Sequence, residues 1–139
     1  VPGYAGVRLP CDTGLSAHLS GAVSACLLSA VGHFYANSDG STPRLHQGLV
    51  ASGDQFVTSA QVSRALREPL VAAGHDVLAV EMEGAAVAQV CLDYGVPFAA
   101  VRTISDRADD DAHVDFPVFI QTVASRYADH IVRHLLKSL

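Results

Sequence analysis

Val77-Leu78-Ala79-Val80-Glu81-Met82-Glu83-Gly84-Ala85-Ala86-Val87-Ala88-Gln89-Val90-Cys91 is the stretch on which the fold turns. Its first four residues are a short apolar run, the pattern of a strand buried on both faces. Gly84 to Tyr94 is rich in alanine and valine and is followed by Gly95, which predicts a buried helix with a glycine stop. Pro97 to Ile104 predicts a second apolar strand. Asp115 then caps a last helix, with Pro117 tolerated in its first turn. Phe116, Phe119, Ile120, Val123, Tyr127, Ile131 and Leu135 keep helical spacing, so this helix is expected to pack along one side onto a sheet. Strand, helix, strand, helix from Val77 to Leu136 argues an α/β architecture with parallel strands and right-handed crossovers.

Upstream, Asp12 predicts the cap of a helix carrying Leu15, Leu19, Val23, Cys26, Leu27 and Val31, stopped by Gly32. Asn37 to Pro43 reads as a polar loop. Leu45 to Ala51 reads as a strand closed by Gly53-Asp54. A short helix begins near Thr58 or Ser59, is broken or re-aimed by Pro69, and stops at Gly74.

Composition narrows the function. At 139 residues and 50% apolar, the length suits one globular domain. The opening Val1-Pro2-Gly3-Tyr4-Ala5-Gly6 has neither an initiator methionine nor a strand, and predicts a piece that continues a larger domain. Nine Lys and Arg against fourteen Asp and Glu leave a net charge of −5 with no clustered basic face, which argues against nucleic acid as partner. No run approaches the roughly 20 apolar residues of a membrane helix. The three cysteines lack a C-x-x-C spacing, as expected of reduced thiols in the cytoplasm. The seven histidines are read as giving no metal site.

Ligands of open α/β sheets gather at strand carboxyl ends, here just past Ala51, Val80 and Ile104. Glu81 and Glu83 flank Met82 at spacing two, so an extended backbone turns both carboxylates to one side. Glu83 either meets the positive end of the following helix or binds paired hydroxyls such as those of a ribose. Ser105 is placed to orient the Asp106 carboxyl, in a turn or in a catalytic site. Arg102, inside a strand, needs a carboxylate partner, either Glu81 or Asp106. Phe56 stands at the mouth of the same edge, as core or as a base-stacking ring. Asp109-Asp110-Asp111 is a solvated loop or a weak cation site.

Taken together, Val80 to Cys91, Val96-Pro97-Phe98 and Val101-Arg102-Thr103-Ile104-Ser105-Asp106-Arg107-Ala108-Asp109 closely resemble the signature of 5′-methylthioadenosine/S-adenosylhomocysteine nucleosidases, members of the nucleoside phosphorylase/hydrolase superfamily. Gly48 to Val57 matches upstream, and Phe116 falls where a pocket phenylalanine is expected. The resemblance implies a three-layer α/β/α nucleoside phosphorylase-like fold with a mixed central sheet. Residues 1–139 are then the carboxyl-terminal portion of a single nucleosidase domain, with the amino-terminal half absent.

The resemblance also implies hydrolysis of the N-glycosidic bond of methylthioadenosine or S-adenosylhomocysteine, without metal or cofactor. In that reading Asp106, held by Ser105, protonates N7 of the leaving adenine. Glu83 grips the ribose hydroxyls, Met82 walls the sugar, Phe56 stacks on the base and the Val57 backbone bonds its edge. Phe116 lines the purine and 5′-alkylthio region, with Arg102 and Glu81 in support. The water-activating glutamate belongs to the absent half, which becomes a required partner, and a homodimer is expected. The alternatives are a purine nucleoside phosphorylase and a non-catalytic nucleoside-binding fragment.

Overall fold

The computed structural model describes residues 8–29, 43–106, 108, 119 and 123–139. The loop expected at Asn37–Pro43 (all but its last residue), the helix stop at Gly32, the Asp109–Asp111 run, the Asp115 cap and Phe116 lie outside the described residues.

Helix α1 spans Thr13–Leu28, and the Asp12 carboxylate caps it by accepting the Leu15 N–H at 2.7 Å. It ends three residues before the expected Val31, because the Ser29 backbone N–H and hydroxyl both donate to the Cys26 carbonyl and close the last turn. Strand β1 is Leu49–Ser52, shorter at its start than the sequence suggests. Gln47 instead donates its side-chain amide to the Ser20 hydroxyl at 2.9 Å, and Leu45 packs on the helical core, so residues 45–47 belong to the α1 side.

Helix α2, Ala60–Ala72, is capped by the Ser59 hydroxyl, which accepts the Val62 N–H. Pro69 sits inside α2 rather than breaking it. The helix forgoes the one bond of the missing N–H, and the Pro69 carbonyl still accepts from Ala73. Gly74 takes φ +80°, a left-handed stop. Strand β2, Val77–Glu81, pairs parallel with β1, with Leu49 opposite Val77 and Ser52 opposite Glu81. Helix α3, Gly84–Asp93, follows and ends at Gly95 with φ +64°. Helix α4 is Ser125–Ser138.

Two expectations about how the elements pair also change. The β–α–β unit runs from Leu49 to Glu81, and residues 96–105 join no ladder among the described residues. An apolar run becomes a strand only beside a neighbour that takes up its N–H and C=O groups. Here the Phe98 carbonyl accepts from Asp12 N at 2.7 Å, tying this segment to the start of α1. The last helix packs on α1, not on a sheet. Leu19, Ala22, Val23 and Cys26 of α1 meet Tyr127 and Ile131 of α4 in one buried cluster, because the apolar stripe of the amphipathic α4 covers one face of the largely apolar α1. Among the described residues no helix is long and apolar enough to cross a membrane.

Candidate active site

Parallel register brings the site together. With Ser52 opposite Glu81 at the carboxyl ends of β1 and β2, both side chains face the first turn of α3. The Ser52 hydroxyl accepts the Ala85 N–H at 3.1 Å. Glu81 Oε2 accepts the N–H groups of Glu83 at 3.1 Å and Gly84 at 2.7 Å, so three of the orphan donors around this helix start are met by side chains of the two strands. Gly84 leaves room for this carboxylate: a Cβ would come within 2.7 Å of Glu81 Oε1 and displace it.

The Glu81 carboxylate also bonds the Arg102 guanidinium. Burial works to raise its pKa, but the Ser52 hydroxyl, the two backbone N–H groups and Arg102 outweigh it, and the carboxyl is held below the usual glutamate range. Arg102 therefore finds the partner that the sequence left open between Glu81 and Asp106. The same nitrogen lies 3.7 Å from Glu83 Oε2.

Glu83 differs from its neighbour. The α3 start is served by Glu81 and Ser52, while the Glu83 carboxylate makes no cap and its side chain is 70% exposed. A carboxylate held near an arginine and facing outward at a strand end is placed to accept hydroxyl donors.

Asp106 is fixed from both sides. Oδ2 accepts the Ser105 hydroxyl at 2.7 Å and Oδ1 accepts the Ala108 N–H at 2.9 Å, with Ala108 at φ +52°. Val57 is buried and lines a groove of about 180 Å³ with Ala108, Leu78 and Val80. The loop bearing Asp106 and the residue expected to bond a base edge thus meet at one depression. Phe56 and Met82, next in the chain to Val57 and to Glu81, are each nearly half exposed.

Within the described set, Glu81, Glu83, Arg102, Ser52 and α3 converge, and Ser105 with Asp106 follows Arg102 in the chain. Sequence reasoning missed Ser52 as the second side chain serving the α3 start. The signal was the register between two strands, which no local pattern reveals. It also missed the His130-x-x-x-His134 spacing on α4, legible in the chain as an i, i+4 pair.

A profile of the Phosphorylase superfamily matches residues 4–137. The chain belongs to the phosphorylase superfamily. Among other members, the 5′-methylthioadenosine/S-adenosylhomocysteine nucleosidase of Haemophilus ducreyi is 41% identical over 88 residues, covering 63% of this chain and 36% of that protein. The aminodeoxyfutalosine nucleosidase of Helicobacter pylori is 43% identical over 84 residues, covering 60% and 34%. The crystal structure of the 5′-methylthioadenosine/S-adenosylhomocysteine nucleosidase from Neisseria meningitidis in complex with methylthio-immucillin-A matches with a TM-score of 0.77 and 32% identity, over 100% of this chain and 52% of that one. This superfamily member therefore has the nucleoside phosphorylase-like α/β fold, and spans about a third of the length of these curated relatives and about half of the solved chain.

Proposed function

We propose that residues 1–139 are the carboxyl-terminal portion of a nucleosidase domain that hydrolyses the N-glycosidic bond of 5′-methylthioadenosine or S-adenosylhomocysteine, releasing adenine and the 5-thioribose product. The observation that carries this reading is the Asp106 carboxyl, held by Ser105 Oγ and the Ala108 N–H, in a chain that is 41% identical to a nucleosidase over 88 residues.

In this mechanism Asp106 donates a proton to N7 of the purine, so that adenine leaves neutral. Proton donation by a positioned acid contributes roughly 10²–10⁴ in rate. As the C1′–N9 bond lengthens, the sugar gains oxocarbenium character, and Glu83 binds the ribose hydroxyls more strongly in that state than in the ground state. Met82 walls the sugar. Phe56 stacks on the base, the Val57 backbone bonds its edge, and Phe116 lines the purine and 5′ region. Glu81 and Arg102 are positioning residues: Glu81 anchors the start of α3, and Arg102 links it to Glu83. The glutamate that activates the attacking water lies in the amino-terminal half, so chain 1–139 alone binds the base without turning it over. A homodimer in the cytoplasm completes the proposal.

A second substrate is favoured by one relative. The aminodeoxyfutalosine nucleosidase of Helicobacter pylori is 43% identical, so a nucleoside with a different 5′ group is the competing reading. The test is chromatography of methylthioadenosine, S-adenosylhomocysteine and aminodeoxyfutalosine incubated with the protein that carries both halves. Adenine and free methylthioribose at a rate independent of phosphate are expected. A sugar 1-phosphate formed only with phosphate would make the protein a phosphorylase, and turnover by chain 1–139 alone would contradict the assignment of the base.

A further inference from the structure

We propose that His130 and His134, one turn apart on α4, chelate a divalent late first-row transition-metal ion, Cu²⁺ most tightly. The pair lies on the helical side of the molecule, whereas the candidate active site stands at the carboxyl ends of β1 and β2.

Residues four apart on a helix share a face, and here the two imidazoles lie with ring centroids 4.7 Å apart and planes 27° from parallel. The rings stand stacked, and rotation of the two side chains, with no change in the backbone, turns a nitrogen of each toward one ion. The Nδ1 of His130 is buried and finds no hydrogen-bond partner among the described residues, which leaves Nε2 as the edge through which this ring bonds. His134 lines an open groove of about 430 Å³ between α1 and α4, which gives an ion and its waters access to this ring.

Imidazole nitrogen suits copper, nickel and zinc, and for a given donor set affinity rises through nickel to copper and falls at zinc. Once one imidazole holds the ion, the second binds it at the high local concentration set by the helix. Among the described residues no group of three or more metal-ligating side chains is assembled. The remaining positions fall to water, and the ion exchanges freely. His18 also lines the groove, its Nδ1 beside the Ser138 hydroxyl at 3.3 Å, but it stands on α1 and not on the face that His130 and His134 share, and it stays outside the ligand set.

Isothermal titration of the chain with copper(II), nickel(II) and zinc(II) salts tests the site. One equivalent of each is expected to bind, copper most tightly, with a rise in melting temperature because the ion binds the folded helix. His130→Gln and His134→Gln each weaken copper binding by about tenfold or more, since a lone imidazole loses the chelate. His18→Gln leaves the affinity unchanged. The absence of a saturable one-to-one step, or a loss in His18→Gln equal to that in His134→Gln, would overturn the proposal. Circular dichroism of each variant confirms that α4 is still formed, and a variant that is folded yet binds copper as the parent does also overturns it.

Discussion

The α1–α4 seam and the β1–β2–α3 edge both carry apolar residues, the edge the more continuously, yet they end up differently covered. In the seam, Cys26 is fully buried and Leu19, Ala22, Val23, Tyr127 and Ile131 are at most 9% exposed. At the edge, Leu78 is 53% exposed and Val87 and Val90 are 51% and 56%, while Ala88 is the one buried residue of α3. Stability is therefore concentrated where the two helices meet, and the polar groups are concentrated where the strands end. Glu81, Ser52 and Arg102 hold the edge together by hydrogen bonds and charge where the seam uses packing.

That contrast can be broken from either side. Ile131→Ala removes a buried side chain from the seam and should cost about 2–5 kcal/mol, whereas Leu78→Ala on the exposed face should cost well under that; urea titration followed by circular dichroism compares them. Equal costs would erase the distinction. Gly84→Ala drives a Cβ against the Glu81 carboxylate, and overpacking of this kind costs about 1–3 kcal/mol. Hydrogen exchange should show the loss at the start of α3 and leave the seam protected.

The smaller effects sharpen the comparison. The Glu81 pKa is depressed on folding, so its contribution is fully present above the ordinary glutamate value and is lost as pH falls through the folded value. Parent protein should lose stability on acidification in a step that Glu81→Gln lacks; identical acid profiles would remove Glu81 from its anchoring role. At the seam, burial pushes the Cys26 thiol pKa up, while Cys11 is exposed. A thiol reagent should therefore modify Cys11 in the native protein and reach Cys26 only after unfolding.

What was legible in the chain was local. Asp12 and Ser59 announce helix starts through their own side chains, and Gly74 and Gly95 announce stops through a conformation that glycine adopts without strain. The short apolar run at Val77 gave a strand for the same reason. The Pro97–Ile104 segment reads equally well as a strand and joins no ladder here, since pairing depends on a neighbour the segment does not specify. The partner of α4 was misread because an apolar stripe fits a helix or a sheet alike. In the candidate site, Glu81, Glu83, Arg102, Ser105 and Asp106 were all visible as residues. Their division of labour was not: that Glu81 serves the helix start and leaves Glu83 outward follows from the Ser52–Glu81 register and the position of Arg102.

The central claim is that the strand-end edge carries nucleoside chemistry through Asp106, and adenine release from methylthioadenosine by the protein that carries both halves tests it most directly. Asp106→Asn keeps the size of the side chain and removes the acid, so the account predicts a loss of roughly 10²–10⁴ in kcat with melting temperature nearly unchanged. A folded Asp106→Asn variant that retains more than about a tenth of the parent rate would contradict it.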